Sequence, residues 1–230
     1  MLKLDDMKRD AMLCPRCANC KWVDHIYIKS KRFAKICPIN AKHIFSAYSG
    51  AGLLDLALAK IHGQLDYDSK LLDVVYNCTL CGACDVRCKR NLDIEVLQTI
   101  ETLRARCVED GAGPLPKHRE VSNKVLRFKN RYGVSQKNRA QWLPRSMAPA
   151  KQADLLYFAG CAASFHQVGL AQATAKLLAR AGVPFSVLGA EEWCCGNPLI
   201  SVGQIEAARA IVEHNLDAIK IATELGLVSA

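Results

Sequence analysis

The apolar positions of this chain change their period part way along it, and the change divides it. Up to residue 110 they recur at three and four residue steps. Leu53, Leu54, Ala57, Leu58 and Ile61 predict a short buried helix, and Leu97, Ile100, Leu103 and Cys107 predict another, with Cys107 packed toward a core as a small hydrophobe. From Gly111 to Ala150 apolar residues are scattered among Lys, Arg, Asn, Ser and Pro, the pattern of a linker or extended arm. Beyond it strand and helix patterns alternate. Asp154 to Ala159 predicts a strand, Gln167 to Ala181 a helix ended by Gly182, and Pro184 to Leu188 a second strand. Gln204 to Leu225 predicts a long amphipathic helix closing at Gly226, with Ile205, Ala208, Val212, Leu216, Ile219 and Ala222 on its buried face. The expected architecture is α+β overall: a helical domain over 1–110, a linker over 111–150, and a partial α/β unit with parallel strands over 151–230.

Composition narrows the chemistry. Half of the 230 residues are apolar, enough for real cores, and twelve are cysteines. The first residues, Met1 to Leu13, are polar and charged and hold no signal-peptide h-region, so a cytoplasmic protein is expected. The longest apolar run, Leu155 to Ala163, falls short of the ~20 residues a membrane helix needs, and no direct membrane span is expected. Disulfides do not persist in a reducing compartment, which makes metal binding the economical use of so many thiols.

The strongest motif is Cys78-Thr-Leu-Cys81-Gly-Ala-Cys84-Asp-Val-Arg-Cys88. At this spacing three thiolates wrap one 4Fe–4S cubane, while the fourth ligates a neighbouring cluster. Gly82 lets the backbone approach an inorganic sulfide without a Cβ in the way. A second triplet, Cys14-Pro-Arg-Cys17-Ala-Asn-Cys20, has its remote fourth cysteine in Cys37, followed by Pro38. The expected ligand sets therefore cross over: Cys14, Cys17, Cys20 and Cys88 for one cluster, Cys78, Cys81, Cys84 and Cys37 for the other. Zinc is the competing reading, since C-x2-C pairs also bind it, but two triplets with remote partners suit a cubane better. The formal charge of +9 counts every cysteine as neutral; two oxidised clusters with their thiolates bring it to roughly +5. That suits an acidic protein partner as well as a nucleic acid, and the cluster motifs favour the protein.

This pair of motifs resembles the α-helical ferredoxin domain of heterodisulfide reductase iron–sulfur subunits and of the iron–sulfur subunits of succinate and anaerobic glycerol-3-phosphate dehydrogenases, over roughly Leu13 to Cys107. Two departures stand out. Sixteen residues, not three, separate Cys20 from Cys37, and Lys89, not proline, follows Cys88. The insertion is read as a helix from Tyr27 to Ile36. Lys89 and Arg90 are read either as raising the potential of a neighbouring cluster or as a solvated basic turn.

In the last third, Gly160-Cys161 ends one predicted strand and Trp193-Cys194-Cys195-Gly196 follows the other, so the three thiols converge at the carboxyl ends of adjacent strands. The arrangement C-x32-C-C-G resembles the first half of the CCG domain of heterodisulfide reductase catalytic subunits. That resemblance implies a later C-x2-C and a third, noncubane 4Fe–4S cluster. This chain ends thirty-five residues after Cys195 without such a motif. It is read as truncated, as completed by a partner's ligands, or as carrying no cluster at Cys161, Cys194 and Cys195.

His166 is a candidate for orienting groups at that site or for a surface role. His25, His43, His62, His118 and His214 show no metal-ligand spacing, and Trp22 and Trp193 are read as core residues near the cysteines. There is no Gly-rich phosphate loop, so nucleotide cofactors are not expected. The expected function is an electron-transfer subunit, non-catalytic or co-catalytic, of a heterodisulfide reductase-like oxidoreductase, with a flavoprotein and other redox subunits as partners and no nucleic acid. The alternatives are an iron–sulfur subunit of a flavin-dependent dehydrogenase passing electrons to quinone, and a zinc-organised binding protein.

Overall fold

The computed structural model describes residues 2–24, 26–90, 92–144, 147, 153 and 155–225. The chain forms two compact units. The first is Met1–Leu115 with Ser201–Gln204, and the second is Pro116–Ile200 with Ile205–Ala230.

The first unit is helical: α1 Lys8–Leu13, α2 Pro38–His43, α3 Gly50–Ile61, α4 Ser69–Asn77, α5 Ala83–Lys89 and α6 Val96–Glu109. Its starts are marked by side chains that satisfy orphan backbone N–H groups. Ser49 Oγ accepts from Gly52 N–H ahead of α3, Asp68 accepts from Leu71 N–H ahead of α4, and Pro38 opens α2. The two helices expected from periodicity are α3 and α6, and they pack on each other. Leu53, Leu54 and Ala57 share one core with Ile100, Leu103 and Cys107. Cys107 is fully buried, and burial pushes its thiol up to about 11.

The helix expected over Tyr27–Ile36 does not form. Trp22 and Lys35 instead pair as an antiparallel bridge, Val23 N–H donates to Ala34 O at 2.7 Å, and Ile36 N–H to Lys21 O at 3.0 Å. At the tip Asp24 and Ser30 accept from backbone N–H groups two and three residues on, which favours turns over a helix. The insertion is a hairpin whose two ends are tied at the cysteines.

The second unit holds α7 Pro116–Phe128, β1 Leu155–Leu156, α8 Gly160–Phe165, α9 Val168–Arg180, β2 Phe185–Ser186, α10 Asn197–Ile200 and α11 Ile205–Glu224. The strands are parallel, with Leu155 opposite Phe185. The stretch expected to be an extended arm is structured. Residues 116–128 are helical, and Val125, Asn130, Arg139 and Trp142 are buried. Its polarity is misleading because the polar groups are satisfied inside. The Asn130 amide donates to Phe128 O and Val134 O and accepts from the N–H groups of Tyr132 and Val134, closing a loop on itself. Residues 145, 146, 148–152 and 154 of the expected linker and strand, and Gly226, lie outside the described residues.

The inward face of α11 also differs from the expected one. Ala208, Ile211, Asn215 and Ala222 are buried, while Leu216 is half exposed. A polar residue turns the helix: Asn215 Oδ1 accepts from Trp193 N–H at 2.9 Å and its Nδ2 donates to Cys194 O at 2.9 Å.

Candidate iron–sulfur sites

Eight of the nine cysteines of the first unit line two pockets, the ninth being the core thiol Cys107. Cys37, Cys78, Cys81 and Cys84 surround one of about 440 Å³, together with Gly50, Gly82 and Leu97. Cys14, Cys17, Cys20 and Cys88 surround another of about 390 Å³, with Ala51, Leu54 and Val96. Each pocket thus takes a triplet from one loop and a fourth cysteine from the other half of the unit.

Local backbone geometry explains how the triplets curl inward. Arg16 and Ala18 in the first loop and Leu80 in the second have positive φ, 60°, 66° and 53°. A non-glycine residue there costs roughly 1–2 kcal/mol, so the surroundings must hold it. Arg16 is held by Nε donating to Asp55 of α3 at 2.7 Å and by a bond to the carbonyl of Cys14. Gly82, at φ +73°, starts α5, which carries Cys84 toward one pocket and Cys88 toward the other.

The start of α3 stands between the pockets. A Cβ on Gly50 would lie 2.9 Å from Cys84 Cβ and 3.3 Å from Cys20 Cβ, one cysteine of each set. Ala51 N–H donates to Cys20 Sγ at 3.4 Å, and Asn40 N–H, at the start of α2, to Cys37 Sγ at 3.5 Å. Burial pushes the Cys20 thiol up, and the Ala51 N–H partly opposes it by favouring the charged sulfur. The sulfurs otherwise resist ionising together. Burial, then the neighbouring thiols, pushes Cys84 up to about 12, and burial, then Cys14, Cys17 and Cys20, pushes Cys88 up to about 11. A bound iron–sulfur cluster would supply the positive charge that offsets both effects. Among the described residues no three His, Cys, Asp or Glu side chains could hold a single metal ion. The eight thiols divide four to a pocket, a donor set that suits two four-iron cages better than one zinc ion.

Arg104 of α6, 4 % exposed, braces this region. Its guanidinium donates to the carbonyls of Val75 and Cys78 at the end of α4 and to Ser201 O. The Lys89 ammonium pairs with Glu95 at 2.6 Å, so its charge is largely compensated, while Arg90 lies 5.8 Å from the centre of the Tyr27 ring.

In the second unit Cys161 begins α8 behind Gly160, and Cys194-Cys195 precedes Gly196, both glycines at positive φ. Cys161 and Cys194 are buried and Cys195 is exposed. Cys194 donates to both neighbours, which holds Cys161 and Cys195 below the ordinary thiol range and pushes Cys194 up. Arg139, 1 % exposed, adds a guanidinium bond to Cys161 Sγ at 3.4 Å. Its charge is matched by buried Glu192, which also accepts from Ala159 N–H at 3.0 Å and Gly160 N–H at 2.8 Å. Arg139, Glu192 and Asn215 were not legible as site residues, because nothing in their spacing ties them to the thiols. His166 is exposed and stacks on Tyr132 at 5.6 Å, and Trp193 is in contact with both His214, at 3.5 Å, and Lys129 Nζ, at 4.2 Å. Among the described residues no helix is long and apolar enough to cross a membrane.

These sites define a cysteine-rich, redox-type protein. Residues 155–229 match the cysteine-rich CCG domain family. The chain is 39 % identical over 169 residues to one of the subunits of the dihydromethanophenazine:CoB–CoM heterodisulfide reductase of Methanosarcina mazei, covering 70 % of this chain and 41 % of the relative. Its counterpart in Methanosarcina acetivorans is 33 % identical over 217 residues, 90 % and 51 %. The EtfAB:quinone oxidoreductase of Syntrophomonas wolfei is 32 % identical over 168 residues, 67 % and 23 %. No solved structure gives a significant match. The chain is a heterodisulfide reductase-like iron–sulfur protein with a CCG domain, and it spans about half or less of the length of these relatives.

Proposed function

We propose that this chain is an electron-transfer subunit, or part of one, in a heterodisulfide reductase-like complex. It relays single electrons through two 4Fe–4S clusters, one on Cys14, Cys17, Cys20 and Cys88 and one on Cys37, Cys78, Cys81 and Cys84. The observation that carries this reading is the sorting of the eight thiols into two four-cysteine pockets with the start of α3 between them. The cysteines hold and tune the clusters and perform no acid–base chemistry. Cys161, Cys194 and Cys195 form one wall of a third, noncubane site that further ligands complete. A flavoprotein is the expected donor, and the CCG site or a further subunit the acceptor.

The similarity to a quinone oxidoreductase supports a second reading, in which the electrons leave toward quinone.

Anaerobic reconstitution tests the cluster assignment. It is expected to yield about eight irons per chain and the EPR of two reduced cubanes. Cys88→Ser removes a ligand from the Cys14 pocket while its own loop serves the other. A colourless product without iron, or both clusters unaltered in Cys88→Ser, overturns the reading.

A further inference from the structure

The hairpin between Cys20 and Cys37 is absent from the compact motif and does nothing for the core: only Ala34 of its described residues is buried. It carries Lys21, Lys29, Lys31, Arg32 and Lys35 against one acid, Asp24. Large apolar side chains stand out among these charges. Ile26 is 81 % exposed, Phe33 68 % and Tyr27 64 %, and Val86 of α5 is 73 % exposed. The Tyr27 ring lies under the guanidinium groups of Arg87 and Arg90, at 6.0 and 5.8 Å, which joins the hairpin to the basic end of the helix carrying Cys88. A solvated basic loop has no use for exposed aromatics, and a misplaced core segment has no use for five cations. Exposed apolar area rimmed by one sign of charge marks an interface.

We infer that this hairpin and the end of α5 are the docking surface for an acidic one-electron carrier protein. The charge calls for an acidic partner. The position calls for a redox one, because the hairpin leaves from a cysteine of one pocket and returns to a cysteine of the other, so a molecule seated there reaches both. A lipid surface satisfies the charge and exchanges no electron. In the transfer, a carrier's anionic flavin hydroquinone gives up one electron and becomes the neutral semiquinone, no proton moving, while one cubane passes from its oxidised to its reduced form. The electron step rests on the cluster reading above; the binding step does not.

An acidic flavodoxin is the probe. Its oxidised form is expected to bind the reconstituted chain with an affinity that falls as salt rises. Lys29→Glu/Lys31→Glu/Arg32→Glu is expected to weaken binding and slow reduction by the hydroquinone at least about tenfold at low salt. Phe33→Ala is expected to weaken binding with the salt dependence retained. Reduction by dithionite should be the same in all variants, which separates a docking failure from a loss of clusters. The exposed pair Lys176→Glu/Arg180→Glu on α9, with the exposed Lys220→Glu on α11 added so that both variants reverse three cations, is the control for net charge. The inference is overturned if the hairpin variant binds and is reduced like the parent, or if the control weakens both equally. It is also overturned if the parent ignores flavodoxin, whether it then sediments with phosphatidylglycerol vesicles or self-associates through this surface.

Discussion

Gly50 has no side chain, and that is its contribution. It sits where a helix start must pass between Cys20 and Cys84, and an added methyl would meet Cys84 Cβ at 2.9 Å, Val96 Cγ1 at 3.2 Å and Cys20 Cβ at 3.3 Å. None of those atoms is the free end of a flexible chain, so the backbone of α3 must yield. Overpacking of this kind costs typically about 1–3 kcal/mol. Gly50→Ala is expected to lower the stability of the first unit by that amount in urea unfolding and to reduce iron incorporation below the parent's. Normal iron content with unchanged stability would show that the pockets are not separated by this contact. Gly50 carries no signal in the sequence, since a glycine at a helix start is ordinary and its neighbours Cys20 and Cys84 are thirty residues and more away on either side.

Elements differ in how they are held. The helices α3 and α6 bury rows of apolar residues, whereas α2 and α5 bury none. What α2 and α5 do offer is cysteine: Cys37 at the start of one, Cys84 and Cys88 within the other. With no buried apolar face, a helix of six or seven residues is unstable in water. Iron held at these cysteines, on the cluster assignment proposed above, would supply the missing free energy, as metal does in other small metal-organised folds. Oxidative removal of iron followed by chelation is therefore expected to lower amide-exchange protection in α2, α5 and the hairpin toward that of fraying segments, about 0 kcal/mol for opening. Protection in α3 and α6 should persist in part. Uniform loss across all four helices would show that the clusters are integral to the core and not an anchor for its edge. The periodic helices were legible because periodicity reports burial; α2 and α5, in which no residue is fully buried, leave no such trace.

At the scale of the molecule, each unit has its own core and its own cysteines. The second unit's core includes Cys161 and Cys194, and beside it lies the buried pair Arg139–Glu192. Removing one partner of a buried ion pair leaves an uncompensated charge and costs about 3–5 kcal/mol. Arg139→Met is expected to destabilise the second unit by roughly this much, while iron bound by the first unit stays at the parent level. Arg139→Met/Glu192→Leu should recover part of the loss, though the N–H groups of Ala159 and Gly160 then lose their acceptor. Loss of iron in the single variant would show that the units do not fold separately.

The sequence by itself determined where helices with buried faces lie, where strand and helix alternate, and which cysteines travel together, because period and short spacing are local properties of a chain. It could propose, but not decide, which remote thiol joins which triplet, since that depends on loop closure across Cys37–Cys78 and Cys20–Cys88. The tertiary structure alone decided that Gly50 separates the pockets, that the insertion is a hairpin and not a helix, and that a polar stretch delivers Arg139 to Cys161. Each of these rests on a close approach between residues distant in sequence, where burial and pairing of polar groups override the local pattern.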